Sequence, residues 1–175
     1  MRFVIASVLA TLVPGCASGS KAPAAPAAWA DILNGQNEKI GTATFTQGAD
    51  GVQIHVEVAK LAPGVHALHL HTVGECHGAD GFKSAGAHFN PYKKKHGTEN
   101  PEGPHAGDLP NFEAGADGTA KIDVVAKLVT LGDGVNSLFQ PGGTCIVIHA
   151  KADDNKTDPS GSAGDRIACG VIQKK

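Results

Sequence analysis

The amino-acid sequence predicts an all-β domain, a β-sandwich or flattened barrel, on three observations. Glycine (23) and proline (10) are abundant among the 175 residues, whereas aromatic residues make up only 5%, and this composition favours short strands joined by turns. Apolar and polar residues alternate in several segments that are bounded by Gly, Asp or Pro, as in half-buried strands. No segment shows a sustained apolar period of 3.6 residues, so we expect little helix.

Six segments carry the strand pattern, and we expect strands at residues 40–46, 52–59, 65–71, 119–127, 145–150 and 167–172. The clearest is 52–59, in which Val52, Ile54, Val56 and Val58 point to one face. Two long segments, 72–110 and 152–165, lack the pattern. Together they hold most of the histidines and glycines found after residue 71. Loops of this length in a compact domain are usually functional or tied down.

The first 30 residues indicate export. An apolar segment of eleven residues, 3–13, follows Met1 and Arg2; it is too short to span a bilayer but suits the core of a secretory signal. The sequence VPGCA at 13–17 resembles a lipoprotein signal, so we expect a signal peptide at 1–15 and a lipid on Cys16. Ordinary secretion, with cleavage near 28–30, is the alternative. A Pro/Ala-rich tether at 16–30 would then lead to a folded domain at 31–175.

The charge balance excludes nucleic acid as the main partner, because a net charge of −2 provides no broad cationic field. The unusual feature is the presence of nine histidines beside four cysteines. This combination directs attention to metal chemistry.

The histidines and one aspartate divide naturally into two metal sites. His69 and His71 are two residues apart on a predicted strand, so both rings can reach one ion, although this pattern alone is more often an ordinary half-buried strand. His149 ends a later strand. The loop between them carries a second set of zinc-compatible ligands, which are His88, His96, His105 and Asp108.

Five motifs, in order along the chain, resemble those of the copper–zinc superoxide dismutases. They are GxHxxHxH at 64–71, SAGxHFNP at 84–91, HxGDL at 105–109, HAxADD at 149–154 and RxACGVI at 166–172. The resemblance extends over residues 31–172. It implies an eight-stranded Greek-key flattened barrel, an immunoglobulin-like sandwich, with a long metal-binding loop and an electrostatic loop.

The resemblance also implies one copper and one zinc ion per chain. The copper ligands would be His69, His71, His88 and His149. The zinc ligands would be His88, His96, His105 and Asp108, so that the imidazole of His88 bridges both ions. Asp153 would link a copper histidine to a zinc histidine, and such partners fix ring orientation. Arg166 would guide superoxide to copper, with Lys151 and Lys156 as candidates for assisting it.

The same resemblance pairs Cys76 with Cys169, which would anchor the loop 72–86 near Arg166. Cys145 is then unpaired, and we expect it to be a small buried residue. The implied activity is the dismutation of superoxide to dioxygen and hydrogen peroxide, in the periplasm or cell envelope, with the lipid on Cys16 holding the enzyme at a membrane. A homodimer is compatible with the resemblance.

Two alternatives come from other classes of protein. The first is a domain that carries copper or zinc without turnover; the complete copper set and the presence of Arg166 argue against it. The second is a structural sandwich stiffened by zinc, which leaves His69, His71 and His149 unexplained. Among the other histidines, we expect His66 to serve as a structural hydrogen-bonding residue.

Overall fold

The computed structural model describes residues 27–175, and within them the all-β prediction is confirmed. The helical structure there consists of two short 3-10 turns, Gly78–Asp80 and Lys83–Ala85. The strands are β1 Ala28–Asn34, β2 Lys39–Gly48, β3 Gly51–Val58, β4 Gly64–His66, β5 Leu68–His71, β6 Phe112–Ala114, β7 Ala120–Ala126, β8 Cys145–His149, β9 Arg166–Val171 and β10 Gln173–Lys174. No helix in this part of the chain has the length and apolar character needed to cross a membrane. The predicted signal peptide and Cys16 lie outside the described residues.

The main sheet has eight strands, as the resemblance implied, and it curls into a half-barrel. Its order is β5-β8-β9-β1-β2-β3-β7, with β10 added beside β1, and all pairings are antiparallel. Strands distant in sequence are neighbours at β5-β8 and β9-β1, which is the crossover pattern of a Greek key. β4 and β6 form a separate two-stranded ribbon.

The predicted strand 65–71 is two strands that belong to different sheets. β4 pairs with β6 and β5 pairs with β8, and the break falls at Ala67. The backbone N–H of Ala67 donates to the carbonyl of Lys151 (2.8 Å), and its carbonyl accepts from the N–H of His149 (3.0 Å). These bonds tie Ala67 to the end of β8 and to the chain just beyond it, so the alternation in the sequence continues while the pairing partner changes from β6 to β8.

The folded domain begins earlier than predicted. β1 starts at Ala28, so residues 28–30, which the prediction assigned to the tether, form part of the sheet. Ala28 pairs with Phe45 and Ala30 with Ala43, and all four side chains are fully buried. An alanine-rich sequence is typical of a linker, but here Ala28 and Ala30 are buried in the core and Ala28 lies opposite the large ring of Phe45.

The central strands place the core and the candidate site on opposite faces. On β5 and β8, Leu68 pairs with Ile148 and Leu70 with Ile146, and these four side chains belong to the main hydrophobic core. The alternate residues, His69 and His71 among them, therefore point to the outer face of the sheet. Both histidines are nevertheless fully buried, because the loops cover that face.

Candidate metal centre

The predicted copper ligands converge on the outer face of the sheet. His69 and His71 come from β5, and His149 comes from the end of β8. His88 joins them from the long loop, through an isolated antiparallel bridge to His71. The four ligand nitrogen atoms lie within 4.8 Å of one another, and all four residues are buried. The structure thus brings together every member of this predicted set.

In three of these histidines, one ring nitrogen lies beside an oxygen of the protein, which leaves the other nitrogen facing the centre of the ligand cluster. His71 donates from Nδ1 to the carbonyl of Gly86 (3.0 Å), and His69 donates from Nε2 to a carboxylate oxygen of Asp153 (2.8 Å). Nδ1 of His149 lies 3.3 Å from the carbonyl of Gly164. Nδ1 of His69 and Nε2 of the other two rings are left for a metal ion.

The predicted zinc ligands form a second cluster around one carboxylate oxygen. Oδ1 of Asp108 lies 3.0 Å from Nδ1 of His88, 3.1 Å from that of His96 and 3.2 Å from that of His105. Oδ2 of Asp108 accepts the backbone N–H groups of Gly97 and His105, both at 2.9 Å, and these bonds fix the carboxylate in place. Three imidazole nitrogens and one carboxylate oxygen are a suitable tetrahedral set for zinc.

Four buried ring nitrogens supply the test of whether a metal fits. Within residues 27–175, Nδ1 of His69, Nε2 of His88, Nδ1 of His96 and Nδ1 of His105 have no hydrogen-bond partner. The last two lie close to Oδ1 of Asp108, but not in hydrogen-bonding geometry. Buried polar atoms without partners are costly, and these four all face the two ligand clusters. Metal ions would satisfy them.

His88 belongs to both clusters. Its Nδ1 faces Asp108 and the other members of the second set, while its unpartnered Nε2 faces the first set. The ring centroids of His88 and His69 are only 4.0 Å apart. The geometry therefore places one imidazole between the two ligand clusters.

Asp153 connects the two clusters on the side of the rings that faces away from their ligand nitrogens. Its carboxylate accepts a hydrogen bond from Nε2 of His69 (2.8 Å) and another from Nε2 of His96 (2.9 Å), as predicted for this residue. Asn111 holds the backbone of Asp153 with a reciprocal pair of hydrogen bonds, each 2.8 Å long. Sequence reasoning missed Asn111, since nothing in its local pattern separates it from an ordinary loop asparagine.

Burial holds several of these rings neutral, as metal binding requires. It lowers the pKa of His88 to about 4 and that of His149 to about 3, and it also depresses the pKa of His71. Burial acts the same way on His96, but the adjacent carboxylates of Asp108 and Asp153 outweigh it and raise the pKa of His96 to about 9.

The pKa of each carboxylate in the cluster lies below its ordinary range. Burial alone would raise the pKa of Asp108 and of Asp153, but the surrounding imidazoles and backbone N–H groups outweigh that effect. Both groups are therefore anionic near neutral pH. A charged carboxylate at each position suits the ligation of a cation by Asp108 and the orientation of two rings by Asp153.

Arg166 and the predicted disulfide act on the same loop. The bond between Cys76 and Cys169 is present, as predicted. The guanidinium of Arg166 donates to the carbonyls of Phe82 and Gly86, both at 2.7 Å. Because the carbonyl of Gly86 also accepts from His71, one loop carbonyl fixes the orientation of both the arginine and a predicted copper ligand.

The remaining predicted residues have smaller roles. Nδ1 and Nε2 of His66 lie 2.8 Å from the carbonyls of His149 and Ala62, so His66 supports a ligand segment, as expected. Of the two lysines proposed for steering, Lys156 forms an exposed ion pair with Glu99 at 2.8 Å. Cys145 is fully buried, and its burial raises the pKa of the thiol to about 12.

Comparisons with known proteins agree on one family. The family model described as copper/zinc superoxide dismutase matches residues 39–172. Cu-Zn superoxide dismutase 1 of Aquifex aeolicus is 52% identical over 146 residues, which cover 82% of this chain and 86% of that protein. The Cu-Zn superoxide dismutase of Caulobacter vibrioides is 43% identical over 149 residues, covering 83% and 85%. The crystal structure of a SOD-like protein from Bacillus subtilis matches with a TM-score of 0.78 at 36% identity, covering 82% of this chain and 96% of that one.

Proposed function

This chain belongs to the copper/zinc superoxide dismutase family, an oxidoreductase family, and from that premise we propose which of its residues convert two superoxide ions and two protons into dioxygen and hydrogen peroxide. The observation that carries the assignment is the pair of ligand clusters joined by His88. The chain has both clusters in full, together with the buried, unpartnered nitrogens that metal ions would satisfy.

The residues divide between the two ions as follows. Copper is held by His69, His71, His88 and His149, because imidazole nitrogen suits this metal. Zinc is held by His88, His96, His105 and Asp108. When bound, copper supplies the one-electron redox couple, and zinc supplies a fixed positive charge. Asp153 keeps one ring of each set in orientation through its two hydrogen bonds.

Two residues act on the substrate and its protons. Arg166 attracts the superoxide anion with a charge that persists at any working pH, and its carbonyl partners hold the guanidinium beside the copper ligands. His88 takes up and releases a proton at Nε2, the nitrogen that faces the copper set, in the part of the cycle in which that nitrogen is not a metal ligand. Because Nδ1 stays directed at the zinc set, the ring can take up and donate this proton without losing its place.

We further propose that the enzyme works outside the cytoplasm and protects the cell envelope. The apolar segment at 3–13 and the cysteine at position 16 support an exported, lipid-anchored form. The disulfide of the folded domain also suits an oxidising compartment. Mass spectrometry of the N-terminal peptide from the native membrane fraction tests this placement. An unmodified Cys16, or a mature chain that begins after it, would contradict the anchor.

Superoxide consumption by the metal-loaded chain tests the activity. We expect fast, catalytic consumption by protein reconstituted with copper and zinc, and none by the metal-free or zinc-only forms. If the chain bound one copper and one zinc yet consumed no superoxide beyond one equivalent per copper, the alternative of a metal-carrying domain would replace the enzyme.

A further inference from the structure

A third cysteine lies beside the disulfide. The sulfur atoms of Cys76, Cys145 and Cys169 are within 4.8 Å of one another. Cys145 pairs with Val171 across β8 and β9, and Cys169 pairs with Val147. The two strand cysteines are therefore diagonal neighbours on the same face of the sheet. Cys76 approaches both from the loop above them.

The surroundings of the three sulfur atoms are apolar and closed. Cys145 and Cys169 are fully buried, and with Phe82, Ala85 and Val147 they form a small hydrophobic cluster under the loop, against which Cys76 packs. Among the described cysteines, Cys145 is the one left free, and the dismutase chemistry proposed above does not use it. A buried thiol with no reactive neighbour would serve only as a small hydrophobic side chain in the core, but this thiol adjoins a disulfide.

We propose that Cys145 is an alternative covalent partner for Cys76. In the exchange, the thiolate of Cys145, a minor form because burial raises the pKa of this thiol, attacks the sulfur of Cys76; the Cys76–Cys145 bond forms and the Cys76–Cys169 bond breaks. The sulfur of Cys169 leaves with the electron pair and takes up the proton that Cys145 has lost. One disulfide and one thiol are present before and after, so the step needs no external oxidant or reductant.

Cys76 is the partner because it is the one of the three outside the sheet. Diagonal neighbours in an antiparallel sheet have Cα atoms about 7–8 Å apart, which is farther than a disulfide spans without backbone movement. The ladder between β8 and β9 fixes Cys145 and Cys169 at such positions. Cys76, by contrast, lies in an irregular segment between β5 and the first 3-10 turn.

The exchange keeps the loop 72–86 attached to the sheet. That loop supplies the carbonyls of Phe82 and Gly86, which orient Arg166 and His71. Either bond ties the loop down close to these carbonyls, one through β9 and the other through β8. Cys145 therefore gives the chain a second attachment point that holds the loop when Cys169 is not bonded.

Non-reducing tryptic mapping of the full-length chain tests the proposal, because each cysteine falls on its own peptide. Cleavage after Lys and Arg places Cys76 in 61–83, Cys145 in 128–151 and Cys169 in 167–174, and it separates Cys16 in 3–21. In Cys169→Ser, we expect peptide 61–83 linked to 128–151 within one chain. In the matched control, Cys145→Ser, we expect 61–83 linked to 167–174.

A stability measurement accompanies the mapping. We expect reductant to lower the unfolding temperature of metal-free Cys169→Ser but not that of the double variant Cys145→Ser/Cys169→Ser. A folded Cys169→Ser in which Cys76 and Cys145 both react with an alkylating agent would overturn the proposal. If Cys169→Ser does not fold, the wild-type chain decides. After equilibration in a glutathione redox buffer and acid quenching, absence of the 61–83/128–151 pair would overturn the proposal, and its presence would support it.

Discussion

Gly161 offers a sharp test of the link that Asp153 makes between the two ligand sets. It lies in the loop 152–165 with a φ of +62°, and a Cβ placed there would collide with Oδ1 of Asp153 and stand 2.7 Å from Nε2 of His96. These two atoms form one of the hydrogen bonds of Asp153. Gly161→Ala must therefore displace the carboxylate, although it changes no ligand and no charge.

The size of the effect follows from the bonds that are lost. Displacing the carboxylate weakens its hydrogen bonds to His69 and His96, and hydrogen bonds to charged groups contribute about 1.5–3 kcal/mol each. Loss of a group that orients metal ligands costs about 10–100-fold in metal affinity or activity. We expect Gly161→Ala to weaken zinc binding within that range, and the left-handed backbone to cost a further ~1–2 kcal/mol of stability.

Gly81→Ala is the matched control. Gly81 has a φ of +66°, and a Cβ there would meet no atom within 4 Å. The control therefore reproduces the backbone cost without the collision. Competition with a chromophoric chelator measures the zinc affinity of the two variants, and thermal unfolding of the metal-free proteins measures their stability. Equal zinc affinity in Gly161→Ala and Gly81→Ala would refute the role given to Asp153.

Three further predictions concern the arginine, the buried histidines and the core. Arg166→Gln should lower kcat/KM for superoxide about ten-fold or more with both metals retained, because the variant loses the positive charge that attracts the anion; stopped-flow kinetics and metal analysis check this. In the metal-free protein, the folded-state pKa values of about 4 for His88 and about 3 for His149 lie below the unfolded value. The unfolded chain then binds more protons, so the free energy of unfolding should fall as the pH is lowered from about 6.5 to about 4, as denaturant titrations can show; unchanged stability would contradict the burial argument. Phe45→Ala should cost about 3–5 kcal/mol of unfolding free energy, because this fully buried ring leaves a cavity; a loss below about 1 kcal/mol in denaturant unfolding would contradict its place in the core.

Local patterns in the sequence predicted most of the fold. Alternation identified β3 because one face of that strand is buried against the core. It could not show that residues 65–71 divide at Ala67, since that break depends on which distant strands pair with each half. β1 is absent from the six predicted strands, and its residues 28–30 are assigned to the tether, because a strand that begins with small alanines resembles a tether until its partner Phe45 is known.

The sequence predicted the ligands of the candidate site, but not the contacts that hold those ligands in place. Spacing and resemblance named both ligand sets and Asp153, because these residue types recur in recognisable motifs. The choice of ring nitrogen at His69 and the clamp that Asn111 places on Asp153 depend on contacts between distant segments. The position of Cys145 beside the disulfide follows from the β8–β9 register, which the sequence alone does not reveal.

The most direct test of the central claim is superoxide consumption by His149→Ala loaded with copper and zinc. His149 belongs to the copper set but not to the zinc set. We predict that this variant retains zinc at one ion per chain and loses catalytic consumption of superoxide. Turnover at the wild-type rate would contradict the assignment of copper chemistry to this cluster.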